Sequence, residues 1–192
     1  SGRQIGDQGL LSLKDSQAQI SDTLKPVEGL FVHHAKIKKG SFKKGDAVQL
    51  QVFREVRKPT MRNHTATHIM HAALRKVLGS HVRQAGSYVN DKQLRLDFSH
   101  FESITPEQLK QIEDEVNQVI LANTKVLKEE MDQEAAKEKG ALAFFGDKYG
   151  DVVRVISISD YSVEFCGGTH IDNTSEIGFF KILTESSIAA GV

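Results

Sequence analysis

Two short stretches carry side chains able to bind a cation: His64-Thr65-Ala66-Thr67-His68, and, about a hundred residues later, Cys166-Gly167-Gly168-Thr169-His170. On a helix, His64 and His68 are four residues apart and project from one face, a common way of offering two nitrogens to one metal ion. The polar stripe continues as His64, Thr67, His68 and His71, at spacings i, i+3, i+4 and i+7. Its neighbours Ala66, Ile69, Met70, Ala73, Leu74 and Val77 are apolar or small. A histidine and threonine stripe on such a helix predicts a polar pocket inside the protein, since an outer face would carry lysine and glutamate.

The second stretch holds the only cysteine of the chain. Gly167 and Gly168 lack Cβ, so they can adopt positive φ and fold Cys166 and His170 toward one point. Three imidazoles and a thiolate match zinc in softness and coordination number, and a coordinating thiol is deprotonated by the metal. Either motif alone is a weak signal, because a histidine pair on a helix is often merely packed. Together they predict one zinc per chain on His64, His68, Cys166 and His170. Thr65 stands where a metalloprotease HExxH motif would need glutamate, so that chemistry is excluded. Four protein donors describe a closed structural site, whereas a catalytic zinc keeps a position open. Either one donor, His170 or His64, is released in the working state, or the metal shapes the pocket without activating water. His71, His81 and His100 read as packing or surface histidines, and His33-His34 as strand neighbours.

The elements that must position these residues are legible in outline. With 192 residues, 39% hydrophobic and 26% charged, the chain can bury an ordinary core. No apolar run reaches the length of a membrane span, and no targeting peptide is visible at the start. A single cysteine fits a reducing, cytoplasmic setting. Residues 1–58 read as a small β-barrel subdomain, with Pro59 at the boundary and residues 59–192 as a second domain. Strands around Val32, Ala35 and Ile37 and around Val48, Leu50 and Val52, with turn glycines between them, predict a hairpin. A helix is expected from Asn63 to Leu78, ended by Gly79. Thr105-Pro106-Glu107-Gln108 has the form of a capping box with proline at the first helical position. The buried stripe of that helix is Leu109, Ile112, Val116 and Ile120. Leu94, Leu96 and Phe98 mark a strand with one covered face, and a short helix runs from Asp132 to Lys139. Residues 152–158 and 178–185 read as strands, with the cysteine motif on the connection between them. The fold class is α+β: a small N-terminal β-barrel, then an α/β layer domain with a largely antiparallel sheet.

Net charge is zero, but its distribution is uneven. Between Lys25 and Arg62 ten basic residues face three acidic ones, and from Pro106 to Gly140 nine acidic residues face five basic ones. A basic half suits a polyanion partner, although solvated surface lysines give the same pattern.

"RNHTATHIMHAALRKVLGSHVRQAGSYVNDKQLRLDF", "FCGGTH" and "GFFKILTESSIAAGV" together resemble the editing domain of alanyl-tRNA synthetases, over nearly the whole chain. Parts of the pattern are shared with free-standing alanyl-tRNA editing proteins and with threonyl-tRNA synthetase editing domains. The resemblance implies an aminoacyl-tRNA ester hydrolase that clears serine and glycine from tRNA(Ala), with zinc on His64, His68, Cys166 and His170. It also points to Thr67 and Gln84 as pocket residues governing amino-acid choice, and to the remainder of a parent synthetase as partner. Two departures stand out: Arg3 replaces the second glycine of an expected Gly-Gly-Gln, and Phe53 stands where many members carry aspartate. The chain also opens and stops inside family motifs, as an excised fragment would.

Such a reaction has a physical rationale. An alanine pocket cannot exclude smaller glycine and rejects serine by only about 1–3 kcal/mol, whereas a site that hydrogen-bonds a hydroxyl can discriminate by about 10⁴–10⁵. Thr67 and Gln84 are suitable types for that second site. The tRNA is expected to be held through phosphates by Lys36, Lys38, Lys39, Lys43, Lys44 and Arg62. Glu164 and Asp97 lie beside the motifs as candidate bases. A noncatalytic zinc-stabilised RNA-binding module and a threonyl-type editing domain are the alternatives.

Overall fold

The computed structural model describes residues 3–27, 29–143 and 150–187. The expectations placed on Gly2 and on residues 189–192 fall outside that set. The N-terminal part contains β1 (Arg3–Gln4), β2 (Gly9–Leu13), β3 (Ser16–Val27), β4 (Leu30–Lys39) and β5 (Gln49–Val52). β2 and β3 form a tight hairpin across Lys14-Asp15, with Leu13 opposite Ser16 and Lys14 at φ 47°. β4 pairs with β3 and β5 with β2, giving the antiparallel order β4-β3-β2-β5. The expected pairing of the strands around Val32 and Leu50 is therefore not formed. The β2–β3 hairpin, closed by its two-residue turn, lies between them and takes both pairing edges. Among the described residues nothing joins β4 to β5, so an open sheet replaces the expected barrel. Ala18 and Ile20 are its buried apolar side chains, while Phe31, Val32, Ile37 and Leu50 stay exposed.

α1 (Arg54–Leu78), with Phe53 as N-cap, starts nine residues before the expected Asn63. Pro59 thus lies inside the helix and does not mark its boundary. Its ring removes one bond near the N-terminal end, where the loss is smallest. Arg57 Nε donates to Asp7 Oδ1 at 2.5 Å, tying this early part of α1 to the segment between β1 and β2. Gly79 ends the helix, as expected.

β6 (Arg83–Val89) and β7 (Leu94–Ser99) are antiparallel, and β1 joins β6 in parallel. α2 (Pro106–Leu121) follows with both halves of the capping box made: Thr105 Oγ1 accepts from Gln108 N–H, and Gln108 Oε1 accepts from Thr105 N–H. β8 (Val126–Asp132), α3 (Gln133–Glu138), β9 (Val152–Ile158) and β10 (Ser162–Phe165) complete the chain before a short 3₁₀ turn, Thr174–Ile177. The second part of the fold therefore holds two three-stranded sheets, β1-β6-β7 and β10-β9-β8, where one sheet was expected. α1 and α2 pack together and share a core in which Ile69, Ala73, Ile112, Val116, Ile156 and Ile158 are at most 1% exposed. This core fixes the face of α1 against β10.

Residues 178–185 are irregular, not a strand. Three of their backbone groups are bonded by side chains of α2. Asn117 Nδ2 donates to Phe180 O, Phe180 N–H donates to Asn117 Oδ1, and Ile182 N–H donates to Glu113 Oε2. These bonds hold Phe180 and Ile182 against α2 in place of a strand ladder. Among the described residues no helix is long and apolar enough to cross a membrane.

Candidate metal centre

α1 carries Thr60, His64, Thr65, Thr67, His68 and His71 as buried polar residues. The predicted inward polar stripe is thus present on the helix. β10 aims the second motif at it. Along this strand Glu164 and the following Cys166 are two residues apart and so share a face. Cys166 N–H donates to Arg154 O, and the Arg154 guanidinium donates to Cys166 O and Gly168 O, so the motif's backbone is clamped to β9.

His64, His68, Cys166 and His170 are all buried, and their potential donor atoms lie within 4.8 Å of one another. The Cys166 Sγ is 3.4 Å from both His64 Nε2 and His170 Nε2. The three rings crowd the same space, with centroids 4.4–5.3 Å apart.

Each imidazole is held at Nδ1 by a different partner. His64 Nδ1–H donates to Gln4 Oε1 at 2.8 Å, and Gln4 also accepts from Thr169 N–H and Oγ1–H. His170 Nδ1 is hydrogen-bonded to Thr65 Oγ1 at 3.1 Å. His68 Nδ1 is bonded to Glu164 Oε2, whose other oxygen accepts from His71 Nδ1–H at 2.6 Å. These partners occupy Nδ1 on each ring and turn Nε2 toward the sulfur. His68 Nε2 is a buried polar atom without a hydrogen-bond partner, the kind of orphan a cation would satisfy.

The electrostatics favour a thiolate at Cys166. Burial alone would raise the Cys166 thiol pKa, but hydrogen bonding to His170 and His64 and the nearby His68 imidazole bring it well below the ordinary value. Burial would lower the His68 pKa, yet Glu164 and Cys166 reverse this and raise it. Burial and the two neighbouring imidazoles depress His170, against the opposing pull of Cys166. A thiolate is therefore at home among nitrogen donors, and these four residues could hold a metal ion.

The glycines work differently from expectation. Neither Gly167 nor Gly168 has positive φ. What matters is space: a Cβ on Gly168 would overlap the His64 ring and come within 3.0 Å of Gln4 Oε1, while one on Gly167 would meet nothing within 4 Å.

The other site residues lie on several elements. Thr67 is buried on α1 and donates to Asn63 O at 2.8 Å. Gln84 is half-buried on β6, where its Nε2–H donates to Ser87 Oγ at 3.3 Å. Lys36, Lys38 and Lys39 lie exposed on β4, Lys43 and Lys44 in the following connection, and Arg62 half-buried on α1. Arg62 thus belongs to a different element from the five lysines. Asp97 pairs with Arg95. Glu164 is only 1% exposed and touches two histidines of the stripe, so His71 belongs to the centre's surroundings and not simply to packing. Gln4, Thr65 and His71 were missed as supports. The inward phase of Glu164 relative to Cys166 was the available signal for the carboxylate. Nothing local marked Gln4, which reaches His64 across 60 residues of sequence.

Residues 153–192 match the family described as the threonyl and alanyl tRNA synthetase second additional domain. The whole chain is similar to alanine–tRNA ligases: 54% identical over 193 residues to that of Pseudomonas syringae pv. tomato, 50% over 191 residues to that of Fervidobacterium nodosum, and 47% over 192 residues to that of Acetivibrio thermocellus. All of the chain is covered in each comparison, and it spans 22% of each relative's length. From end to end the chain is similar to one segment of alanine–tRNA ligases, and its residues 153–192 match the second additional domain of threonyl and alanyl tRNA synthetases.

Proposed function

We propose that this chain is a proofreading module that hydrolyses the ester joining a wrong amino acid, serine or glycine, to the terminal ribose of tRNA(Ala). The observation that carries the reading is the buried convergence of His64, His68, Cys166 and His170 in a chain similar throughout to alanine–tRNA ligases. One zinc ion is the metal that best suits three imidazole nitrogens and a thiolate. When bound, it supplies a dication able to polarise an ester carbonyl or acidify a water molecule.

The chain's own residues would do the selecting. Thr67 already spends its hydroxyl proton on Asn63 O, so its oxygen is left as an acceptor. A serine hydroxyl could donate there while Gln84 offers an amide. Glycine would enter by size alone. Lys36, Lys38, Lys39, Lys43, Lys44 and Arg62 would hold tRNA phosphates. Residues 1–58 would then present the tRNA and residues 59–192 carry the hydrolytic site, with α1 crossing the boundary between them. The rest of a parent synthetase would be the covalent partner, in the cytoplasm.

The test is to incubate the zinc-loaded chain with Ser-tRNA(Ala), Gly-tRNA(Ala) and Ala-tRNA(Ala). Loss of serine and glycine with alanine retained is the expected result. Four protein donors also suit a purely structural metal, and tRNA binding without ester loss would establish that noncatalytic reading instead. Thr67→Val should slow serine release about tenfold, the rate equivalent of one hydrogen bond of about 1–1.5 kcal/mol, with little change for glycine.

A further inference from the structure

We infer that Glu164 is a positioning residue for the metal centre: its carboxylate bridges His68 and His71 and orients His68 so that only Nε2 can coordinate. The inference rests on the reading that the four-residue cluster holds a metal ion. Glu164 is 1% exposed, with one oxygen on His68 Nδ1 and the other on His71 Nδ1 at 2.6 Å. Both histidines belong to α1, so a single carboxylate from β10 fixes two rings on one helix face.

The carboxylate also answers a charge problem. A dication with one thiolate and three neutral imidazoles carries one net positive charge in a buried site. An uncompensated buried charge is costly. Glu164 supplies the missing negative charge one imidazole away, without being a donor atom itself. Gln4 and Thr65 hold the other two rings with neutral oxygens, so the compensation comes through His68 alone. Outer carboxylates of this kind typically raise metal affinity by about 10–100-fold.

The experiment compares zinc affinity of the intact chain and of Glu164→Gln by competition with a chromophoric chelator, alongside the cobalt(II) absorption spectrum of each. Glu164→Gln keeps the shape but removes the charge and one acceptor. The expected result is zinc affinity about 10–100-fold weaker, with a shifted cobalt ligand-field band. A second measurement needs no variant: in the zinc-loaded wild-type chain, ¹⁵N–¹H spectra should show protonated Nδ1 on both His68 and His71, with protons shifted far downfield by the carboxylate. Equal affinity and an unchanged cobalt spectrum in Glu164→Gln would overturn the inference, as would coordination of His68 through Nδ1. A wild-type chain that binds no zinc would overturn the metal reading itself, a result distinct from either of these.

Discussion

Gly167 and Gly168 are adjacent and chemically identical, yet only one of them is constrained by its surroundings. Gly168→Ala should therefore abolish or severely weaken metal binding, because the new methyl must displace His64 or Gln4. Gly167→Ala should bind metal as the wild type does. Metal content after dialysis, measured on both variants, checks the pair. Position 53 offers a second contrast. Phe53 is the N-cap of α1 and makes no side-chain cap bond, whereas an aspartate there could accept from the first-turn N–H groups. Phe53→Asp should stabilise the chain by about 0.5–2 kcal/mol, read as a higher denaturation midpoint. At this scale the candidate donors were legible because their types and spacing are local: two histidines one helical turn apart, and a cysteine and histidine around glycines. Gln4 and Thr65 were not, since each is defined by a partner 60 or 105 residues away. The sequence carries no local record of such a contact.

Among the elements, the capped helix α2 and the strand β7 follow directly from local chemistry, and the cap bonds are made as the sequence implies. Strand partners were less legible. Alternation marked the residues of β4 and β5 but could not say that the β2–β3 hairpin would separate them. The segment at 178–185 shows the opposite failure: its apolar composition suggests a strand, while Asn117 and Glu113 of α2 bond the backbone of Phe180 and Ile182. Burial would raise the Glu113 pKa, but Lys181 and the Ile182 N–H bring it below its ordinary value of 4.5. A depressed carboxylate contributes stability above its unfolded pKa and loses it as pH falls through the folded value. Docking of residues 178–182 on α2 should therefore loosen as pH falls below the ordinary carboxylate range, seen as faster amide exchange at Ile182. Glu113→Gln should show the fast exchange already at neutral pH.

For the whole molecule, five of the six proposed phosphate contacts lie on an edge strand and its following connection, while Arg62 lies on α1 two residues before His64. Replacing Lys36 and Lys38 with glutamine should reduce the slope of log affinity for tRNA against log salt by about 1.4–1.8. Ester hydrolysis at saturating tRNA should change little. An unaltered slope would remove these two lysines from the interface. The centre itself joins parts of the chain that are remote along the backbone: Cys166 and His64 are 102 residues apart. An ion gripping both would act as a detachable staple around most of the second part of the fold. A permanent cross-link spanning about 100 residues lowers the disorder of an unfolded chain by roughly 4–5 kcal/mol, and a reversible one would supply part of that only while loaded. Chelation should thus do more than empty a pocket. It should slow refolding and lower the melting temperature of a chain whose sole thiol can form no internal disulfide.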